Sequence, residues 1–280
     1  MLDDHIELNR RSWNAVVPIH SQHRPGLATF LRDGGLTLFD EERGLLGELQ
    51  GQRLLHLLCN TGADSLSLAA LGAQVTGVDL SDVAIAQARA LAAASGLTAE
   101  FHCADVYAYL AKVPAASFER IYCGYGTICW LADLHQFAAG IAHALAPGGR
   151  FVLMEFHPTS NMFDPTWRLV QSYPARGEPL QLEGVGDYVG TAEGGLSPGG
   201  HVEGSQAFVN PHPCQLFRWG LGEVVSALAG AGLRISALHE YCYINGERPF
   251  TPMRQEGRRW YPPAEVPALP LMYGLSAIQH

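Results

Sequence analysis

The chain of 280 residues contains one lysine, Lys112, against 17 arginines, and it has no basic run. With a formal net charge of −9, this argues against a long phosphate-tracking surface, so nucleic acid is set aside as a substrate. No Cys-x-x-Cys pair occurs among the six cysteines, which lie in apolar or strand-like contexts. Buried reduced thiols in a cytoplasmic protein fit them better than disulfides or zinc, and no metal site is expected. No apolar stretch reaches membrane-spanning length, and Met1-Leu2-Asp3-Asp4-His5 lacks the basic start and apolar core of an export signal. A dinucleotide fingerprint, Gly-x-Gly-x-x-Gly, is missing too, as is any Tyr-x-x-x-Lys pair.

What is present is an apolar content of 48%, enough for one substantial core with attachments. The informative stretch runs from Arg53 to Asp105. Arg53 to Cys59 is a continuous apolar run of the kind that forms a strand buried on both faces. Asn60-Thr61-Gly62 turns into a helix over Ala63 to Leu71, closed by Gly72. Gln74 to Asp79 is a second strand, ending in a carboxylate. Ser81 then caps a helix whose apolar face is Ala84, Ile85, Ala88, Leu91 and Ala92, with Gly96 at its end, and a third strand runs from Ala99 to Cys103. In a doubly wound sheet, ligands lie across the carboxyl ends of the strands. Asp79 is therefore placed for the ribose hydroxyls of a nucleoside, and Ala104-Asp105 for its adenine. A pyrophosphate needs glycines where this turn has Leu58 and Asn60, whereas a ligand without phosphate, such as S-adenosylmethionine, makes no such demand.

These residues carry a resemblance to the class I S-adenosylmethionine-dependent methyltransferases. Leu55-His56-Leu57-Leu58-Cys59-Asn60-Thr61-Gly62 aligns with the family's first motif, departing at His56, Leu58 and Asn60; Thr76 to Ser81 fits the second. Phe118 to Cys123 with the loop Gly124 to Leu131 resembles the fourth strand and its following loop, and Ala146-Pro147-Gly148-Gly149 the turn before the fifth, Phe151 to Phe156. The resemblance implies a Rossmann-like α/β fold, a seven-stranded sheet with helices on both faces. It implies an N-terminal helical cap over residues 1–50, a cofactor-binding core over 51–156, a long lid or acceptor-binding insertion over 157–218, and a helix with closing strands over 219–280. The cap is expected to contain a helix over residues 3 to 17, stopped by Pro18, and a short helix around Leu45, Leu46 and Leu49. The insertion is rich in glycine and proline, with interspersed aromatics, and is expected to be a mobile cover. The closing pair is expected over Leu233 to Tyr243 and Leu269 to Ala277.

The activity so implied is methyl transfer from S-adenosylmethionine to a small-molecule acceptor, with S-adenosylhomocysteine as product. The expected cofactor residues are Cys59, Asn60, Gly62, Asp64, Asp79, Leu80, Ala104, Asp105, Val106 and Tyr125. His157 is the candidate proton acceptor, with Glu155 and Tyr125 behind it, because histidine titrates near neutral pH and these groups close strands four and five. Trp13, Asn14, His20 and Trp130 are candidates for the cavity wall or for packing, and His56 for a buried hydrogen-bonded position. Two alternatives stay open at this level: a nucleotide-dependent oxidoreductase of the NAD type, and a non-catalytic S-adenosylmethionine-binding partner subunit.

Overall fold

The structure, a computed structural model, describes residues 2–173, 176–204 and 207–280. Met1 of the expected cap and positions 174, 175, 205 and 206 of the expected insertion lie outside the described residues. Three helices open the chain: α1 (Leu2–Gln22), α2 (Leu27–Arg32) and α3 (Asp40–Leu46). Strands and helices then alternate as β1 (Arg53–Leu57), α4 (Ala63–Ala70), β2 (Gln74–Asp79), α5 (Asp82–Ser95), β3 (Glu100–Cys103), α6 (Val106–Leu110), β4 (Phe118–Cys123), α7 (Leu134–Ala144) and β5 (Leu145–Phe156). Beyond them lie β6 (Glu178–Leu182), α8 (Tyr188–Thr191), β7 (Cys214–Arg218), α9 (Leu221–Gly230) and β8 (Arg234–Tyr241). The chain closes with β9 (Ile244–Asn245), β10 (Arg254–Glu256), β11 (Arg259–Tyr261) and β12 (Met272–Ile278).

The main sheet has seven strands in the order β3-β2-β1-β4-β5-β12-β8. The first five are parallel, and β12 runs antiparallel to both β5 and β8. Period-two alternation sorts the apolar residues of these strands between two layers. Leu55, Leu57, Ile121, Phe151, Leu153 and Leu275 pack with α6, α7 and α9. Leu54, Tyr122, Val152, Met154 and Met272 pack with α3 and with Leu68 of α4. Because both faces are covered, the central strands read as continuous apolar runs rather than alternating ones. Local signals agree with this framework: the Ser81 hydroxyl accepts the Ala84 N–H at 3.0 Å, and Gly96 ends α5 in a left-handed conformation (φ 75°). Strand order reverses between β1 and β4, and the carboxyl ends at that point form the crevice where such sheets hold ligands.

Two expectations are corrected. Pro18 sits inside α1 and does not stop it. Proline removes one backbone donor, but burial of Val16, Val17, His20 and His23 holds the last turns against the rest of the molecule. The segment 157–218 is more regular than expected: β6 and β7 form an antiparallel ribbon from Glu178↔Arg218 to Leu182↔Cys214. Pro179 disguises β6, since proline within a run speaks against a strand except at an edge, where this one lies. Between β8 and β12 a small sheet, β10-β11-β9, also appears, its strands too short to show a periodicity.

The ribbon is tied to the first helix. Asn9 Nδ2 donates to the Gln215 carbonyl at 2.9 Å, and the Gln215 N–H donates to Asn9 Oδ1 at 2.8 Å, so one buried amide satisfies both backbone groups of a β7 residue. Asn9→Ala should lower stability by about 1–3 kcal/mol by leaving these groups unpaired. It should also accelerate hydrogen exchange at the Gln215 amide above all others in the ribbon. Unchanged protection there would mean that α1 does not hold the ribbon.

Candidate active site

A cavity of about 550 Å³ lies over the carboxyl ends of the first four strands, within the range typical of small-molecule sites. Its floor includes Cys59, Asn60, Asp79, Leu80, Ala104, Asp105 and Val106; Gly124 to Thr127 form one wall, and α1 and the ribbon form the roof.

The turn after β1 keeps the backbone shape of a glycine-rich loop without its glycines. Leu58 and Asn60 both hold left-handed conformations, with φ of 53° and 49°, and Gly62 follows at 73°. For side chains with a Cβ this costs about 1–2 kcal/mol per residue. The strain is offset by bonds: the Asn60 N–H donates to Asp79 Oδ2 at 2.8 Å, and Asn60 Oδ1 accepts the Thr61 N–H at 2.7 Å. Gly62 does not line the cavity. A Cβ there would lie 2.7 Å from the Phe101 ring and 2.9 Å from Ala88 Cβ, so its glycine serves the close packing of the turn against β3 and α5 and not a ligand.

Asp79 accepts one N–H on each oxygen, from Asn60 and, at 2.8 Å, from Ser81. Burial pushes its carboxyl up and these amides oppose the shift. The Leu80 amide also leans on this carboxylate; with room for about four hydrogen bonds, Asp79 keeps acceptor capacity on the cavity lining. Asp105 caps α6 through one oxygen, accepting the Ala108 N–H at 2.9 Å, and leaves the other toward the cavity edge. Asp64 accepts the Thr37 hydroxyl at 2.5 Å and also lines the cavity. His56 is buried against Tyr122, its Nδ1 2.8 Å from the Ser65 hydroxyl, and burial lowers its pKa to about 4.

Glu155 and His157 are not on the cavity wall. The alternation of β5 turns Phe156 toward the cavity and its two neighbours away from it. Glu155 is buried and accepts four backbone N–H groups, from Gly126 at 2.7 Å, Thr127 at 2.8 Å, Ile128 at 2.9 Å and Phe156 at 2.7 Å. Its acceptor capacity is used up in shaping the loop after β4. His157 caps a 3-10 turn, its Nδ1 accepting the Thr159 N–H at 3.2 Å, while Nε2 lies 3.0 Å from Glu240. The expected proton-accepting role of His157 is thus corrected to a turn-capping one, and that of Glu155 to loop positioning. Tyr125 does line the cavity; its hydroxyl accepts from Asn245 Nδ2 at 2.8 Å.

Four lining groups escaped the sequence reading: Arg24, Glu42, Glu247 and Arg258. Glu42 stands in the first turn of α3 and the other three in polar or turn-like stretches, and only the tertiary fold collects them. Arg24 is half-buried, with no side-chain hydrogen bond or ion pair among the described residues, and its Nε is orphaned. Arg258 bonds the Gly195 and Thr37 carbonyls at 3.1 and 2.8 Å and stacks over Phe39, tying insertion, cap and small sheet together. Overhead, Trp13 meets Trp130 edge-on at 5.3 Å, and His20 meets Tyr188 at 4.3 Å. Trp13 and His20 line the cavity, whereas Asn14 bonds Ser81 and Asp82 instead.

Residues 54–149 match a methyltransferase domain family. Over 109 residues the chain is 36% identical to a demethylmenaquinone methyltransferase from Thermus thermophilus, which covers 38% of this chain and 48% of the relative. Over 121 residues it is 33% identical to a ubiquinone biosynthesis O-methyltransferase from Idiomarina loihiensis, covering 43% and 47%. The chain thus spans about half the length of the relatives it matches. A crystal structure of an S-adenosylmethionine-dependent methyltransferase from Mesorhizobium loti superimposes with a TM-score of 0.57 at 23% identity, covering 89% of this chain and all of that one. At that identity the likeness concerns the fold.

The electrostatics of the wall yield a stability test. Burial, with Asp64 nearby, pushes the Glu42 carboxyl up to about 8, against the opposing Phe39 N–H and the Tyr122 and Tyr125 hydroxyls. The folded state then keeps a proton that the unfolded chain loses near the ordinary carboxylate value. The Glu42 contribution is therefore full below that value and declines as pH rises toward 8. Glu42→Gln, which stays neutral, should match the wild type near pH 4.5 and exceed it at pH 8 by on the order of a few kcal/mol. Denaturant titrations at both pH values check this; a difference independent of pH would show that Glu42 is ionised in the folded protein.

Proposed function

We propose that this chain, which carries a methyltransferase domain of the class I S-adenosylmethionine-dependent family, transfers a methyl group from S-adenosylmethionine to a small aromatic hydroxyl compound. The observation that carries the cofactor half is the Asp79 carboxylate on the cavity lining, at the end of β2 and near the strand-order reversal. S-Adenosylmethionine supplies, when bound, a methyl carbon made electrophilic by its sulfonium. Asp79 takes the ribose hydroxyls, and Asp105 with Ala104 and Val106 borders the adenine. At the other end of the floor, the unpaired guanidinium of Arg24 takes the carboxylate of the amino-acid part, and Asp64 stands across from it for the ammonium. The shape fits a ligand without phosphates, because Leu58 and Asn60 keep side chains where a pyrophosphate would need bare backbone.

The acceptor half rests on the chemistry of the roof. Trp13, Trp130 and Tyr188, with Leu182, Val185 and Leu216, offer flat and apolar contact for an aromatic ring. The matched relatives bear names of quinone-pathway methyltransferases, one of them an O-methyltransferase, which supports an aromatic hydroxyl as the acceptor class. Displacement at a sulfonium asks the protein mainly for alignment. The loop Gly124 to Trp130, fixed by the four bonds to Glu155, supplies that alignment beside the donor. A non-catalytic binding subunit would share the floor but would have no use for an acceptor chamber.

Two substitutions test the cofactor assignment by calorimetry without an acceptor. Asp79→Ala should weaken S-adenosylhomocysteine at least tenfold, since each charge-assisted bond contributes about 1.5–3 kcal/mol. Arg24→Met should weaken S-adenosylhomocysteine about 10- to 100-fold and leave methylthioadenosine, which lacks the amino-acid part, unchanged. Equal losses for both ligands would remove Arg24 from the carboxylate role, and a wild type that binds neither would end the reading.

A further inference from the structure

Five carboxylates line the cavity: Glu42, Asp64, Asp79, Asp105 and Glu247. Four are held by protein donors; among the described residues, Glu247 alone has no hydrogen-bond donor and no cation on its carboxylate. Its backbone is nevertheless fixed. The N–H of Gly246 donates to the Arg258 carbonyl at 2.9 Å, and the Gly246 carbonyl accepts Trp260 Nε1 at 3.3 Å. On the other side, Arg248 pairs with Glu193 at 2.5 Å and lies 5.3 Å over the Trp260 ring. Glu247 is therefore presented to the cavity by a clamped turn, its charge unused by the fold.

We propose that Glu247 is the catalytic proton acceptor, taking the hydroxyl proton of the aromatic acceptor as the methyl group is transferred. This assignment rests on the acceptor reading given above. In the step the hydroxyl oxygen forms a bond to the methyl carbon, and the carbon–sulfur bond breaks with its electron pair left on sulfur. The proton passes to the Glu247 carboxylate and from there to solvent; nothing is oxidised or reduced. The facing groups fit this division of labour. Glu155, from β5, is committed to four amides, and burial holds Cys129, on the loop after β4, and Tyr188, from α8, in their neutral forms. On α1, burial keeps His20 neutral down to about pH 4, and Arg24, just beyond that helix, makes no ion pair with Glu247. With no cation to hold it down, the Glu247 carboxyl is pushed up to about 7 by burial, with the Glu155 charge adding to the shift. A base titrating there suits proton removal from a weakly acidic hydroxyl near neutral pH.

The test compares wild type, Glu247→Gln and Glu247→Asp in single-turnover methyl transfer to a series of 4-alkylcatechols across neutral pH, with S-adenosylhomocysteine affinity measured on each. The carboxylate must be ionised to act, so the wild-type rate should rise with pH through about 7 and then level off. Glu247→Gln should be about 10²- to 10⁴-fold slower on that plateau, without the pH limb, and with cofactor affinity unchanged. Glu247→Asp should keep the limb at an intermediate rate. A Gln variant within about threefold of wild type, or with the same limb, overturns the assignment while leaving the proposed function standing. A wild type that binds S-adenosylhomocysteine but methylates none of the catechols overturns the acceptor class and this assignment with it. Absence of S-adenosylhomocysteine binding overturns the cofactor reading itself.

Discussion

A carboxylate buried at the end of a strand keeps its charge only if it finds donors, because an unpaired charge in the interior is costly and the group otherwise takes up a proton. This fold meets that requirement twice, with different remainders. Glu155, at the end of β5, takes four backbone amides and closes its account with the protein, fixing the loop after β4. Asp79, at the end of β2, takes fewer and lines the cavity. The first acid makes a rigid wall, and the second makes a receptor. Counting acceptor positions separates two residues that look alike as strand-ending acids in sequence.

The turn between β1 and α4 depends on the same interaction. Leu58 and Asn60 sit where a side chain is unfavourable, and the bond from the Asn60 amide to Asp79 is what holds the second of them there. Leu58 turns its side chain onto the core that packs α6, α7 and α9, so part of its backbone strain is offset by burial. A loop that needs glycine for a phosphate can do without it when the ligand approaches through a carboxylate at the neighbouring strand instead.

The parts of this molecule governed by short-range rules were legible in its sequence. β2 and β4 have the expected bounds, Ser81 and Gly96 bracket α5 as read, and Asp79 and Asp105 stand at the cavity floor. What the sequence did not reveal depends on long-range closure. Pro18 gave a local stop signal that tertiary burial overrides. Arg24 and Glu247 lie some 220 positions apart in the chain and line one cavity only because the cap and the small sheet both cover the same crevice. His157 illustrates the opposite error: it stands one residue past the end of β5, and the alternation of the strand carries its ring away from the cavity that its neighbour Phe156 lines.

Roof and floor contribute different things to the site. The floor is built of backbone and of acids bound to backbone, so its geometry varies little with side-chain choice. The roof is built of aromatics on α1, on the loop after β4 and on α8, and its contents decide which acceptor fits. Cofactor binding therefore depends above all on Asp79. A crystal structure of the complex with S-adenosylhomocysteine tests it most directly. The account predicts both ribose hydroxyls within hydrogen-bond distance of the Asp79 carboxylate, the Asn60 and Ser81 amides still bound to it, and no ligand atom on Glu155. A ribose bound elsewhere, or an Asp79 whose oxygens meet only those amides, would contradict it.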